Sequence, residues 1–202
     1  RKWIYLLLSG AAFGLAQLSK SSSIVVLGLV GLMLFVGLFK KNEQAPGVKV
    51  WDAAKTFMIW LGTAVLVYFI LWPGMWVAPG KMLSEVYGNA FSYAFQGARL
   101  DVTQELQPSS FSLVTGVGGI IQFLRSWASS STPITWLGLL FALVILFSKD
   151  KERLAAPIKS TLVYLAILGA LFIVMFGLAK GRNSPHYILS SYVCFDVMAG
   201  VG

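Results

Sequence analysis

Cysteine and histidine each occur once, as Cys194 and His186, in a chain of 202 residues. A single cysteine builds no disulfide within the chain, and one Cys with one His assembles no zinc site. Charge is also scarce. Asp, Glu, Lys and Arg together make up 12 % of the residues, roughly half the share found in soluble domains. What fills the chain instead is apolar: 57 % of its residues are hydrophobic, which leaves no room for a purely soluble fold. Acids are the rarer sign, 8 against 16 Lys and Arg, for a net charge of +8. That excess invites a nucleic-acid reading, but no basic stripe is interleaved with aromatics along a groove-sized surface, and nucleic acid is excluded as a partner.

The apolar residues fall into six runs, 3–19, 24–39, 56–72, 133–148, 160–179 and 187–202. A membrane-crossing helix needs roughly 17–25 such residues. The first, second and fourth are slightly short, so they borrow flanking residues or cross a thinned region. The expected fold is all-α, a polytopic membrane helix bundle forming one membrane domain over 1–202, with interfacial helices on its outer side. The chain opens on Arg1 without an initiator Met and ends at "DVMAGVG" inside an apolar run. It therefore reads as a fragment.

Lys and Arg sit at the ends of these runs, where the positive-inside rule places them. Arg1 and Lys2 precede the first run; Lys40, Lys41, Lys49 and Lys55 follow the second; Lys149, Lys151, Arg153 and Lys159 follow the fourth. With these groups in the cytoplasm, the loops after Lys20, Trp72 and Lys180 face outward. The first two runs form a helical hairpin, with Gly10, Gly14, Gly28 and Gly31 allowing close helix approach. The long outer loop is 73–132. Within it, Met82, Val86, Ala90, Tyr93 and Ala94 recur at three- and four-residue spacing beside Phe91 and Phe95, which predicts an amphipathic helix at the membrane surface. The stretch 111–127 is apolar but broken by Gly116, Gly118 and Gly119, and reads as interfacial or re-entrant rather than spanning.

Chemistry is sought on the outer side. Lys20 follows "GLAQLS" and precedes three serines. A cation there, beside hydroxyls and a helix start near Ser23, suits an anionic head group; a lysine anchoring a helix end by snorkelling is the alternative. In "AKGRNSPHYILSSY", Lys180, Arg182 and His186 lie close together and suit a phosphate at the membrane surface, with Tyr187 next to them. The alternative is a polar turn in which Asn183-Ser184-Pro185 caps the following helix. Trp72 and Trp76 suit either the lining of a lipid or sugar site or the interfacial aromatic belt. Glu85, Asp101 and Glu105 form neither a metal motif nor a catalytic pair. Asp196 lies in the last apolar run, where a buried charge is costly; it pairs with Lys20 or with the Lys180–Arg182 cluster, or sits near the interface.

Four segments, "GLAQLSKSSSIVVL", "LWPGMWVAP", "TPITWLGLLFALV" and "HYILSSYVCFDVMAGVG", occur in that order. Together they resemble the central and later part of membrane glycosyltransferases of the dolichyl-phosphate-mannose–protein mannosyltransferase type, with the bacterial lipid A aminoarabinose transferases as relatives. The resemblance spans nearly the whole chain, although each motif alone is weak. It implies part of a GT-C fold and a polyprenyl-phosphate-linked sugar as donor, transferred to a protein or lipid acceptor at the outer membrane face. It also implies that Lys20 contacts the donor phosphate, with Lys180, Arg182, His186 and Tyr187 beside it and Trp72 and Trp76 lining the substrate site. His186 stands where many members carry another basic residue, often Arg, and Ser190 and Val193 replace frequent prolines.

The family's catalytic Asp–Glu pair lies in a first outer loop that has no counterpart here, so no catalytic residue is assigned and the fragment is expected to be inactive alone. No cofactor is assigned, and a divalent metal is left open. The expected setting is a bacterial or archaeal cytoplasmic membrane, as a multi-pass protein among membrane lipids. A transporter or flippase for a lipid-linked or amphipathic anionic substrate is the rival class, and a non-catalytic membrane scaffold is a third.

Overall fold

The computed structural model describes residues 2–39, 50–96, 113–147, 156–179 and 184–202, and among them the chain is helical with no strand. These residues form two compact units, Arg1–Ala90 and Phe91–Gly202, where the sequence reads as one membrane domain.

The first unit opens with α1 (Lys2–Ser19), a 3-10 turn over Ser21–Ile24, α2 (Val25–Phe39) and α3 (Val50–Leu71). Helix α1 packs chiefly on α3 rather than on α2. The reason is a stripe of missing side chains. A Cβ on Gly10 would stand 2.6 Å from the Trp60 carbonyl oxygen, and one on Gly14 would stand 2.6 Å from that of Ala64. Small residues four apart allow such backbone approach in a membrane, where dispersion and fit replace the hydrophobic drive. Phe13 stacks on Trp60 beside this seam, with ring centroids 4.7 Å apart and planes inclined by 20°. Because Gly10 meets Trp60 and Gly14 meets Ala64, both helices advance in the same direction, and their C-terminal ends lie together. Gly28 and Gly31, by contrast, face open space and support no close approach.

Beyond α3 the chain breaks at Trp72-Pro73 and runs through α4 (Gly74–Val77), α5 (Pro79–Leu83), a π-helical turn (Ser84–Gly88) and α6 (Asn89–Gln96). The amphipathic helix expected here is thus interrupted by a wide turn. Phe91 and Phe95 stack on its exposed side, centroids 6.3 Å apart.

The second unit holds α7 (Leu113–Ser130), α8 (Pro133–Phe147), α9 (Ala156–Leu178), a 3-10 turn (Pro185–Ile188) and α10 (Leu189–Ala199). Gly119 and Gly177 bring α7 and α9 into backbone contact. Leu139, Leu162 and Met198 form the core, flanked by Trp127 and Phe195. The buried Ser191 hydroxyl donates to the Gly169 carbonyl at 2.8 Å, which joins α10 to α9 without an unpaired polar group.

Among the described residues, three helices are long and apolar enough to cross a membrane: Ser21–Phe39, Val50–Leu71 and Ile158–Leu178. The pair Gly116–Ser130 and Pro133–Phe147 makes a fourth if counted as one span; it is bent by 110° at its break, the geometry of a broken span or a re-entrant loop. Only 11 % of the Ser21–Phe39 window is buried within the chain. Side chains such as Phe35, Val36 and Phe39 face outward. In water those faces would cost about 25 cal/mol per Å², so hydrocarbon is the solvent they fit, and the chain is that of a membrane protein.

The Gly14 seam yields a direct test. Gly14→Leu is expected to lower stability by about 1–3 kcal/mol through overpacking, whereas Gly28→Leu, facing open space, leaves it within about 0.5 kcal/mol. Thermal unfolding in detergent micelles measures both, and equal losses would contradict the packing described.

Candidate functional site

Helix α1 stops at Lys20, whose backbone is extended at φ −156° and ψ 123°. The end of the helix is closed by its own neighbours. The Lys20 N–H donates to the Ala16 carbonyl at 2.9 Å, and the Ser23 hydroxyl donates to the same carbonyl at 3.0 Å. Carbonyls at a helix end otherwise lack partners, so Ser23 serves the turn rather than a ligand. The turn leaves the Lys20 side chain exposed at the mouth of a cavity of about 270 Å³. Gln17, Leu18, Ser19, Lys20 and Ser21 line it from one side, Tyr68 and Trp72 from the end of α3, and Val86 from the π turn.

Gln17 follows Gly10 and Gly14 on one face of α1, since residues four and three apart share a face. The face that packs on α3 therefore carries this amide inward, to 9 % exposure. Its Oε1 accepts a hydrogen bond from the Tyr87 hydroxyl at 2.9 Å. Its Nε2 is buried and has no partner among the described residues. Tyr87 belongs to the π turn, an insertion of one residue that re-aims side chains and recurs at functional sites. The Asn89 side-chain amide donates to the Glu85 carbonyl within that turn at 2.7 Å. The Tyr68 ring stands 5.2 Å from Trp72, edge to face, and 6.5 Å from Tyr87. Trp76 does not line the cavity; its indole N–H donates to the Phe69 carbonyl at 2.8 Å and closes the end of α3.

The second unit holds the other expected site residues. His186 is exposed on the 3-10 turn before α10, and its ring lies 4.2 Å from that of Tyr187. Tyr187 rests on Phe176 at 5.3 Å, and the fully buried Ile188 pins the turn. Ser184 starts this turn without a side-chain cap, so the expected Asn183-Ser184-Pro185 cap is not made by the Ser184 hydroxyl. Lys180 and Arg182 lie outside the described residues.

Asp196 is exposed rather than buried in its apolar run. Its Oδ1 accepts a hydrogen bond from the Thr135 hydroxyl at 3.1 Å, while the Thr135 N–H donates to the Thr132 hydroxyl at 3.3 Å. The carboxylate thus stands by the first turn of α8, where the helix dipole favours negative charge. Nearby, Trp127 sits 4.8 Å from both Trp136 and Phe195. Tyr192 donates to the Ser126 carbonyl at 3.1 Å. Among the described residues no group of three His, Cys, Asp or Glu is placed to hold a metal ion.

Of the expected site residues, Lys20 and Trp72 share one cavity. Gln17 and Tyr68 join them there without having been singled out in the sequence, and Tyr87 reaches the group through its hydrogen bond to Gln17. The available signal was positional, a lone glutamine in register with two packing glycines. Comparison with protein-family models, with curated proteins and with solved structures finds no match.

The Thr135–Asp196 bond ties α8 to α10. In a double-mutant cycle with Thr135→Val and Asp196→Asn, a coupling of about 1 kcal/mol is expected, typical of a hydrogen bond to an exposed charged group. Thermal unfolding of the four proteins reads it, and strict additivity would show that the bond adds nothing.

Proposed function

We propose that the chain is part of a membrane glycosyltransferase with a GT-C-type helix bundle. In this reading it moves a sugar from a polyprenyl-phosphate donor to a protein or lipid acceptor at the outer face of a cytoplasmic membrane. The observation that carries the reading is the cavity at the end of α1, lined by Lys20 and by Gln17, whose Nε2 has no partner among the described residues, together with Tyr68 and Trp72. Around it, Leu15, Ile70 and Leu71 are exposed apolar side chains on which a prenyl chain would lie in the bilayer. The order of the four sequence segments and the placement of Lys and Arg at the ends of the apolar runs support the same reading.

The chemistry needs two things. An acceptor hydroxyl or amine attacks the anomeric carbon while a base takes its proton, and the bond to the lipid phosphate breaks with its electron pair on the phosphate oxygen. Negative charge therefore grows on that oxygen, and a fixed cation lowers the barrier by meeting it there. Lys20 is assigned this second task, and the sequence resemblance assigns His186 with Tyr187 to donor binding. No residue of this chain is assigned the role of the base.

A transporter or flippase for a lipid-linked anion is the second reading, favoured by the bent pair Gly116–Ser130 and Pro133–Phe147. Broken helices often hold substrate in that class, but they come in matched positions of two halves. Among the described residues one such pair is present.

In liposomes carrying the full-length enzyme and supplied with a panel of polyprenyl-phosphate sugars, release of polyprenyl phosphate reports transfer. Lys20→Ala is expected to lower kcat on the order of 10²-fold and His186→Ala to lower it by less, with helix content unchanged. Unchanged kinetics in both variants would sink the assignment. Movement of a fluorescent polyprenyl phosphate across the bilayer without any transfer would instead establish the flippase.

A further inference from the structure

Lys20 and the Gln17 amide bring N–H donors to the cavity, beside the hydroxyls of Ser19, Ser21 and Tyr68. Lys20 carries three N–H donors and no acceptor, and an amide NH₂ adds two more. Among the described residues no carboxylate lines the cavity. The Gln17 amide oxygen is already taken by Tyr87, which leaves its NH₂ as the buried group without a partner. A buried donor left without a partner is costly. A side chain 9 % exposed and lining a cavity is held in that state by its surroundings, not by freedom to turn to water.

The Tyr87 hydroxyl donates to the Gln17 oxygen at 2.9 Å, which leaves the NH₂ as the end of the amide without a partner among the described residues. It reaches Gln17 from the π turn Ser84–Gly88, 70 residues away in the chain. In a regular helix each residue turns the side-chain direction by about 100°, so the added residue of the π turn determines whether this hydroxyl faces α1.

We infer that Gln17 Nε2 is a second ligand for the phosphate group held at Lys20, and that Tyr87 is the positioning residue that aims it. The inference rests on the reading of Lys20 as a phosphate contact and adds to it two residues and a selectivity. Phosphate oxygens accept from both the cation and the amide, whereas the corresponding prenyl alcohol satisfies neither fully. The same chemistry fits a lipid phosphate or free phosphate, and the test separates them.

The experiment measures Kd in detergent micelles for farnesyl phosphate, farnesol and inorganic phosphate. The proteins are the parent, Lys20→Ala, Gln17→Glu and Tyr87→Phe. Gln17→Glu keeps an oxygen for Tyr87 and turns the donor into a second oxygen, so farnesyl phosphate is expected to bind roughly 100-fold more weakly, farnesol unchanged. Tyr87→Phe frees the amide to rotate, for an expected loss of roughly 5-fold for the phosphate alone. Adding Tyr87→Phe to Gln17→Glu is expected to change nothing further. Gln17→Met, neutral and of similar size, replaces Gln17→Glu if the latter does not fold.

Weakening by Lys20→Ala with parental affinity in the Gln17 and Tyr87 variants overturns the inference and leaves the Lys20 reading standing. Parental affinity in Lys20→Ala overturns that reading and the inference built on it. Equal loss of farnesol and farnesyl phosphate in Tyr87→Phe shows a packing role only and overturns the positioning role. Inorganic phosphate binding as tightly as farnesyl phosphate, with the same variant pattern, upholds the Gln17 assignment and gives the site to free phosphate.

Discussion

Backbone contact between α1 and α3 at Gly10 and Gly14 sets the rest of the first unit. It places the Trp60 and Ala64 carbonyls where side chains would otherwise stand. It also aligns the two helices in the same direction, so that the next residues along each stripe, Gln17 and Tyr68, meet at one end. Helix α1 breaks immediately afterward at Lys20, and α3 breaks immediately afterward at Trp72. The cavity is what two parallel helices leave when both end at the same level. Widening the seam by one methyl group would move the amide, the ammonium and the indole together, since all three ride on those helices.

Burial of Gln17 follows from the same contact and carries an electrostatic consequence. Lys20 is exposed at the end of its helix, while Gln17 on the packed face one turn earlier is 9 % exposed. An amide held at that boundary interacts more strongly with an anion than it would in water, because the local dielectric is lower. A lysine alone at a helix end is a common anchor that snorkels to the interface. A lysine beside an oriented, unpaired amide is a directional arrangement, and anchoring gives no reason for the amide to be there.

Much of this was legible in the sequence, but unevenly. Long apolar runs revealed the helices Ser21–Phe39, Val50–Leu71 and Ile158–Leu178 because hydrocarbon imposes one length on every span. Lys20 stood out because a charge interrupting two such runs has few uses. The glycines were only half readable. Gly10 and Gly14 pack and Gly28 and Gly31 do not, because close approach depends on the partner helix, which pairwise spacing within one helix does not name. Gln17 escaped notice for the same reason: one amide among apolar residues has no meaning until α3 covers it. Tyr87 escaped because three- and four-residue periodicity assumes a regular helix, and the π turn over Ser84–Gly88 breaks that period where it matters.

Asp196 shows the limit of reasoning from charge alone. An acid in an apolar run suggests a cationic partner, and Lys20 or the Lys180–Arg182 cluster offered themselves. Lys180 and Arg182 lie outside the described residues; among those described, Asp196 bonds to the neutral Thr135 hydroxyl, at the first turn of a helix whose N-terminal N–H groups lack partners within the helix. A helix start supplies positive potential without a charged side chain and without the desolvation a second ion would bring. Thr132 completes the arrangement by accepting from the Thr135 N–H, so the acid, the cap and the helix start form one connected network. It gives the Asp196 carboxylate a structural role, joining α10 to the start of α8.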